Sequence, residues 1–262
     1  MFNALDHPVL MFVVLLPSFW FAAWIGSSFG KGKRAAGEDD RDEFMFVLGG
    51  TLTLLALIIA FTFSMAVTRY DQRKHYEEQE ANAIGTEYVR ADLLPAADAA
   101  KVRALLKRYL DQRILHYRTL NAPKRRQIDA QVAQLQTDMW SAVVPPGAGQ
   151  LSAVAALAVA GMNDVLNSQG YTQAAWWNRI PIAAWALMIT ISIFCNLLVG
   201  YGAHGRRAFM FLVLPLALSI SLFLVAEIDS PHSGVIRVHP QNLESLAESL
   251  QSQLGNETIK QN

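Results

Sequence analysis

Uncharged runs alternate with amphipathic stretches along the chain, and the two patterns divide it. No Asp, Glu, Lys or Arg occurs in Pro8–Gly30, Phe44–Val67, Ile180–Ala203 or Ala208–Ala226. Phe44–Val67 holds 24 residues, about 36 Å of helix, against a hydrocarbon core of about 30 Å. Four runs of this kind predict a polytopic membrane protein rather than a globular core. After Val67 the pattern changes abruptly at Thr68-Arg69-Tyr70-Asp71-Gln72-Arg73. No proline follows until Pro95, and Gly85 is the one weak point, at roughly 1 kcal/mol relative to Ala. A near-continuous helix is therefore predicted from Phe44 to about Leu94, running from the membrane into water.

From Asp92 to Gln169 the pattern is that of helices with one apolar stripe. Val102, Leu105, Leu106, Tyr109 and Leu110 form one stripe, with Lys101, Arg103, Lys107 and Arg108 on the other faces. Asn121 reads as a stop and cap with Pro123 in the next first turn, and Ile128, Val132, Leu135 and Met139 repeat the pattern. Pro145-Pro146-Gly147 predicts a turn, and Leu151–Leu166 an Ala-rich helix. The expected architecture is all-α: two transmembrane hairpins flanking a membrane-proximal antiparallel bundle. The boundaries are 1–68 for the first hairpin, 69–179 for the bundle, 180–228 for the second hairpin and 229–262 for a motif and tail. In that tail Leu243, Leu246 and Leu250 predict an amphipathic turn or two before a frayed polar end.

Composition excludes several functions. Lys plus Arg and Asp plus Glu both number 22, so nothing points to nucleic acid as a partner. A single cysteine, Cys195, forms no intramolecular disulfide. Met1–His7 lacks the basic residues of a secretory leader. Lys31–Glu43 mixes both signs without fixed ligand geometry, and no histidine spacing suits a metal, so neither metal nor cofactor is expected. No Walker loop, dinucleotide fingerprint, HExxH or nucleophile elbow occurs, which argues against an enzyme.

Within the spans, Gly49-Gly50 invites close approach of another helix, and Asn196 predicts a hydrogen bond across to one. Ile58, Phe61, Thr62 and Met65 lie at i, i+3, i+4 and i+7 on one face of the second span. That face suits either packing or a pore with an apolar constriction. Tyr171, Trp176 and Trp177 read as an interfacial belt. Glu227 and Asp229 end the fourth span, where carboxylates oppose the helix dipole. They call for a basic partner, and Arg69, at the same membrane face, is the candidate. Arg69 and Arg73 also stand at the mouth of any pore built on the second span.

Two stretches carry a resemblance. Arg69-Tyr70-Asp71-Gln72-Arg73 … Glu80-Ala81-Asn82-Ala83-Ile84-Gly85-Thr86-Glu87-Tyr88-Val89-Arg90-Ala91-Asp92-Leu93-Leu94-Pro95 and Asp229-Ser230-Pro231-His232-Ser233-Gly234-Val235-Ile236-Arg237-Val238 resemble the hallmarks of the bestrophin-like membrane family, over nearly the whole chain. More distantly the chain is similar to true bestrophins, which are pentameric anion channels. The resemblance implies a homo-oligomer in a cell membrane of bacterial inner-membrane type, with ions as partners and the second span lining the pore. The chain departs from true bestrophins in having Met65-Ala66 where those have paired asparagines, and in lacking a counterpart of the acidic calcium clasp. The alternative reading is a non-conducting scaffold or sensor whose bundle binds a partner. Basic residues leave the orientation open: Lys31, Lys33, Arg34, Arg41, Arg206 and Arg207 face one side, while Arg69, Arg73, Lys74, Arg179 and Arg237 face the other. The resemblance favours a cytoplasmic bundle.

Overall fold

A computed structural model of the chain describes residues 7–30, 38–144, 153–202, 210–231 and 234–260. The expected turn at Pro145-Pro146-Gly147, most of the two inter-span loops, and His204 and His232 lie outside the described residues. Eight α-helices make up nearly all of the rest, and no strand occurs among the described residues. In chain order they are α1 (Pro8–Gly30), α2 (Glu38–Arg90), α3 (Ala96–Arg118), α4 (Ala122–Val143), α5 (Ala155–Trp177), α6 (Ile182–Gly202), α7 (Met210–Asp229) and α8 (Gln241–Lys260).

Among the described residues four helices are long and apolar enough to cross a membrane, and they carry most of the four uncharged runs. The 53-residue α2 is unbroken, as its pattern predicts. A single 3-10 turn (Ala91–Leu93) ends it, and Pro95, with φ −52° and ψ 144°, stands at the N-cap of α3. Asn121 caps α4, its side chain accepting from Lys124 N–H at 3.0 Å. The cap satisfies one of the orphan amides at a helix start.

The chain divides into two units. One, the span unit, comprises Met1–Tyr70 and Arg179–Arg237; the other, the bundle unit, comprises Asp71–Asn178 and Val238–Asn262. In the span unit Phe19, Leu55, Met188, Leu222 and Val225 centre one apolar core. There α1 packs closely on α6. A β-carbon at Gly26 would overlap the Leu197 carbonyl, and one at Gly200 would overlap the Ala23 carbonyl. Small residues let the two backbones touch, the usual basis of helix association in lipid. At Gly49 and Gly50, expected to serve that purpose, a β-carbon would meet nothing from another helix within 4 Å. Asn196 differs from expectation as well. Its Nδ2 donates to Ser192 O on its own helix at 2.8 Å, the i−4 carbonyl that any small polar helical side chain can reach.

The bundle unit has its own core of Ile84, Val102, Leu106, Tyr109, Met139, Met162 and Leu243. Two sequence expectations change here. Trp176 is no headgroup anchor; it stacks on His116 with ring centroids 4.6 Å apart, and Tyr171 stacks on Tyr76. The continuing helical period of α5 draws Trp176 inward, leaving Tyr171 and Trp177 exposed. The C-terminal segment is a 20-residue helix rather than a turn or two. Leu243 and Leu250 of α8 are buried, and Leu246 packs against the core. Tertiary burial stabilises a helix that its polar sequence alone leaves marginal.

Candidate functional site

The residues singled out for function fall into three places. The first is the C-terminal end of α7, within the span unit. Asp229 is 2% exposed, and its carboxylate lies 3.6 Å from Arg69 Nη1 and 3.7 Å from Arg179 Nε. It also accepts from Ile180 N–H at 3.2 and 3.3 Å. Arg69 therefore meets Asp229 as its position predicts, and Arg179 joins as a third member that the dipole argument did not anticipate. Glu227, also buried, turns to the backbone, accepting from Val235 N–H at 2.8 Å. The chain between them bends at Gly234, where φ is +123°. A β-carbon at Gly234 would overlap Glu227 Oε2, so glycine is required there both for its φ and for its lack of a side chain. Gly234 and Val235 are thus folded onto the Glu227 carboxylate.

The second place is the crossing part of α2. From 44 to 67 the only buried residues are Leu48, Leu55, Thr62 and Ala66, a single narrow stripe. The face expected to hold Ile58, Phe61, Thr62 and Met65 together is split by this packing. Thr62 is 4% exposed, with Oγ1 returned to Ile58 O at 2.7 Å, and Ile58 is half-buried beside the core. Phe61 (66% exposed) and Met65 (40%) remain uncovered. Leu54, Leu57, Phe61, Ser64 and Thr68 are all exposed at steps of three and four residues. That spacing places them on one stripe of the helix surface.

The third place is the continuation of α2 inside the bundle unit. Arg73, placed at a pore mouth by sequence reasoning, is 1% exposed and directs its Nε at the Ala175 carbonyl, 3.5 Å away. Glu77 receives the N-terminus of α8. Its carboxylate accepts from Asn242 N–H and Leu243 N–H, both at 3.0 Å, and from Asn242 Nδ2 at 2.6 Å. Burial pushes the Glu77 carboxyl up, against the downward pull of those bonds. Glu80 is fully buried and forked by Arg113, with Nη2 donating at 3.1 Å. Thr172 donates to it at 3.2 Å and Tyr109 at 3.5 Å. Burial alone would lower the Arg113 guanidinium, yet the Glu80 carboxylate holds it above its ordinary value. Burial, and then Glu80, raise the Tyr109 phenol.

Sequence reasoning passed over Glu77, Glu80, Glu87 and Arg113. The signal lay in their register: 73, 77, 80, 84, 87 and 91 share one face of a helix, and that face includes Ile84 and Ala91. Among the described residues no group of three or more His, Cys, Asp or Glu could hold a metal ion.

No curated protein matches the chain at a significant level. Two solved structures share its fold, both crystal structures of a bacterial bestrophin homolog from Klebsiella pneumoniae, each carrying one substitution to threonine. The first, with a leucine replaced, aligns at a TM-score of 0.64 and 13% identity, covering 95% of this chain and 99% of the other. The second, with an isoleucine replaced, aligns at 0.61 and 13%, covering 94% and 98%. The family model for the bestrophin-like domain matches residues 15–243. With the helix order and the two motif regions placed as above, this chain belongs to the bestrophin-like family of membrane proteins.

Proposed function

We propose that the chain forms an ion channel as a homo-oligomeric ring, its conduction path lined by the uncovered seam of α2. The observation that carries this reading is the bareness of α2. An apolar helix covered along one narrow stripe presents Leu54, Leu57, Phe61, Ser64 and Thr68 outward at a coiled-coil spacing. Several copies around one axis would bury that seam. Phe61 then forms an apolar constriction that gates by dewetting, and Ser64 and Thr68 supply a polar vestibule. Thr62 is assigned to packing. The guanidinium groups of Arg69 and Arg73 are engaged by Asp229 and the Ala175 carbonyl, so neither is assigned an anion-attracting role.

Native mass spectrometry and bilayer recording test the proposal. A ring whose conductance or gating changes in Phe61→Ala is the expected result. A folded monomer, or ion flux equal to that of empty liposomes from a folded ring, overturns it in favour of a non-conducting scaffold.

A further inference from the structure

Among the described side chains of α2, Glu87 is the one fully buried carboxyl left out of the networks above. It is 0% exposed, and neither of its oxygens has a hydrogen-bond partner. It lies about 30 Å of helix beyond the last uncharged residue of the crossing segment, Val67, within the bundle unit. Its carboxyl rests on the backbone of α5 at Gly161, where a β-carbon would overlap Glu87 Oε2. The same missing β-carbon makes room for Arg90, whose Nη1 would be 2.6 Å from it. Two side chains of α2, one turn apart and of opposite character, therefore share one glycine notch.

The charged surroundings are few. Arg90 pairs with Asp164 of α5 at 3.9 Å, an ion pair open to solvent. On the 3-10 turn Asp92 is held by Arg103 of α3, and Arg103 and Lys107 both lie over the neighbouring Tyr88 ring. From α8 the contact with this stretch of α2 is apolar, Leu246 against Gly85, while Glu244 is paired with Arg118. Arg90 is thus the cation placed to answer a charge on Glu87, and Asp164 already holds it.

A carboxyl buried without donors is stable as the neutral acid and strained as the anion. We propose that Glu87 is a proton-controlled latch between α2 and α5. As the acid it beds in the Gly161 notch and leaves Arg90 to Asp164; as the carboxylate it takes Arg90 from Asp164 and loosens the α2–α5 contact. Burial pushes this carboxyl up to about 8; Arg90 opposes that rise and Asp164 adds to it. The folded protein therefore keeps a proton that the unfolded chain releases near 4.5. By linkage, stability is greatest below that value, falls as pH rises toward about 8, and levels off above. The latch opens near neutral to mildly alkaline pH.

The test uses the full-length protein in nanodiscs. Infrared titration should show a protonated carboxyl band that disappears with a midpoint near 8 and is absent from Glu87→Gln. Hydrogen exchange over 84–91 and 155–165, corrected for the intrinsic pH dependence, should rise by about tenfold above that midpoint in the native protein only. Asp164→Asn releases Arg90 to Glu87 and should lower the midpoint by about one unit. A carboxyl band lost entirely below about pH 6 overturns the proposal, as does exchange in Glu87→Gln that rises as it does in the native protein. If Glu87→Gln fails to fold, the solvent-exposed Asp164→Asn decides alone: an unmoved midpoint overturns the latch.

Discussion

Replacing Asp229 with asparagine changes one oxygen for an amide and isolates the value of the charge knot at the end of α7. Asparagine keeps an oxygen to accept from Ile180 N–H, so that bond survives. Lost is the counter-charge to Arg69 and Arg179, whose side chains are 12% and 24% exposed. Partial solvation holds each pair near the surface value of about 1 kcal/mol, so Asp229→Asn should cost about 2 kcal/mol in all. Asp229→Ala also strands the Ile180 N–H, which adds about 1–3 kcal/mol and brings the total to about 3–5 kcal/mol. Thermal unfolding in detergent, followed by circular dichroism, resolves the series. At about 2–4 °C per kcal/mol for a chain of this size, the midpoint should fall by about 4–8 °C for asparagine and about 6–20 °C for alanine. Because three residues form the knot, the exchange Arg69→Asp with Asp229→Arg should recover only part of the loss. It restores one pair but sets a new guanidinium beside that of Arg179. Midpoints within about a degree of the native protein for both single variants, or full recovery by the exchange, would refute the reasoning.

Two further outcomes follow from the packing. Arg113→Met leaves the Glu80 carboxylate buried with only two neutral donors and should cost about 3–5 kcal/mol, while adding Glu80→Gln should restore most of it; thermal midpoints report both. Gly200→Leu drives a side chain into the Ala23 carbonyl and should abolish the monodisperse gel-filtration peak, whereas Gly50→Leu, at a site with open space, should leave the protein folded.

The helix content, the four spans and the Arg69–Asp229 contact were legible because each follows from local rules: unbroken apolar length, 3.6-residue period, and a carboxylate at the wrong end of a helix dipole. The bundle face of α2 was harder to read. Glu77, Glu80 and Glu87 stand among other charged residues, and composition labels all of them solvent-facing. Only the register shared with Ile84 and Ala91 marks them as interior, and only the fold supplies Asn242 and Arg113 as partners and the Gly161 notch as a bed for Glu87. The glycines teach the same lesson. Gly49-Gly50 and Gly200 look alike in sequence, and what separates them is whether another backbone lies opposite, a long-range fact. The split of the Ile58–Met65 face has this origin too: spacing groups four residues, and the neighbouring helices decide which of them stay bare.

The close approach of α1 to α6 bears on the order in which the protein is made. Gly26 meets a backbone encoded some 170 residues later, so α1 enters the bilayer long before its main partner exists. The bundle waits in the same way. The Glu77 carboxylate is ready to receive an amine end of helix that is translated only with Asn242 and Leu243. Each unit is thus closed by a segment from the far end of the chain. A nascent chain that has emerged only through α5 holds two half-built cores, with the faces around Gly26 and Glu77 still bare. Assembly of this protein is governed by its last third, and a ribosome that stalls before α6 leaves both units open at once.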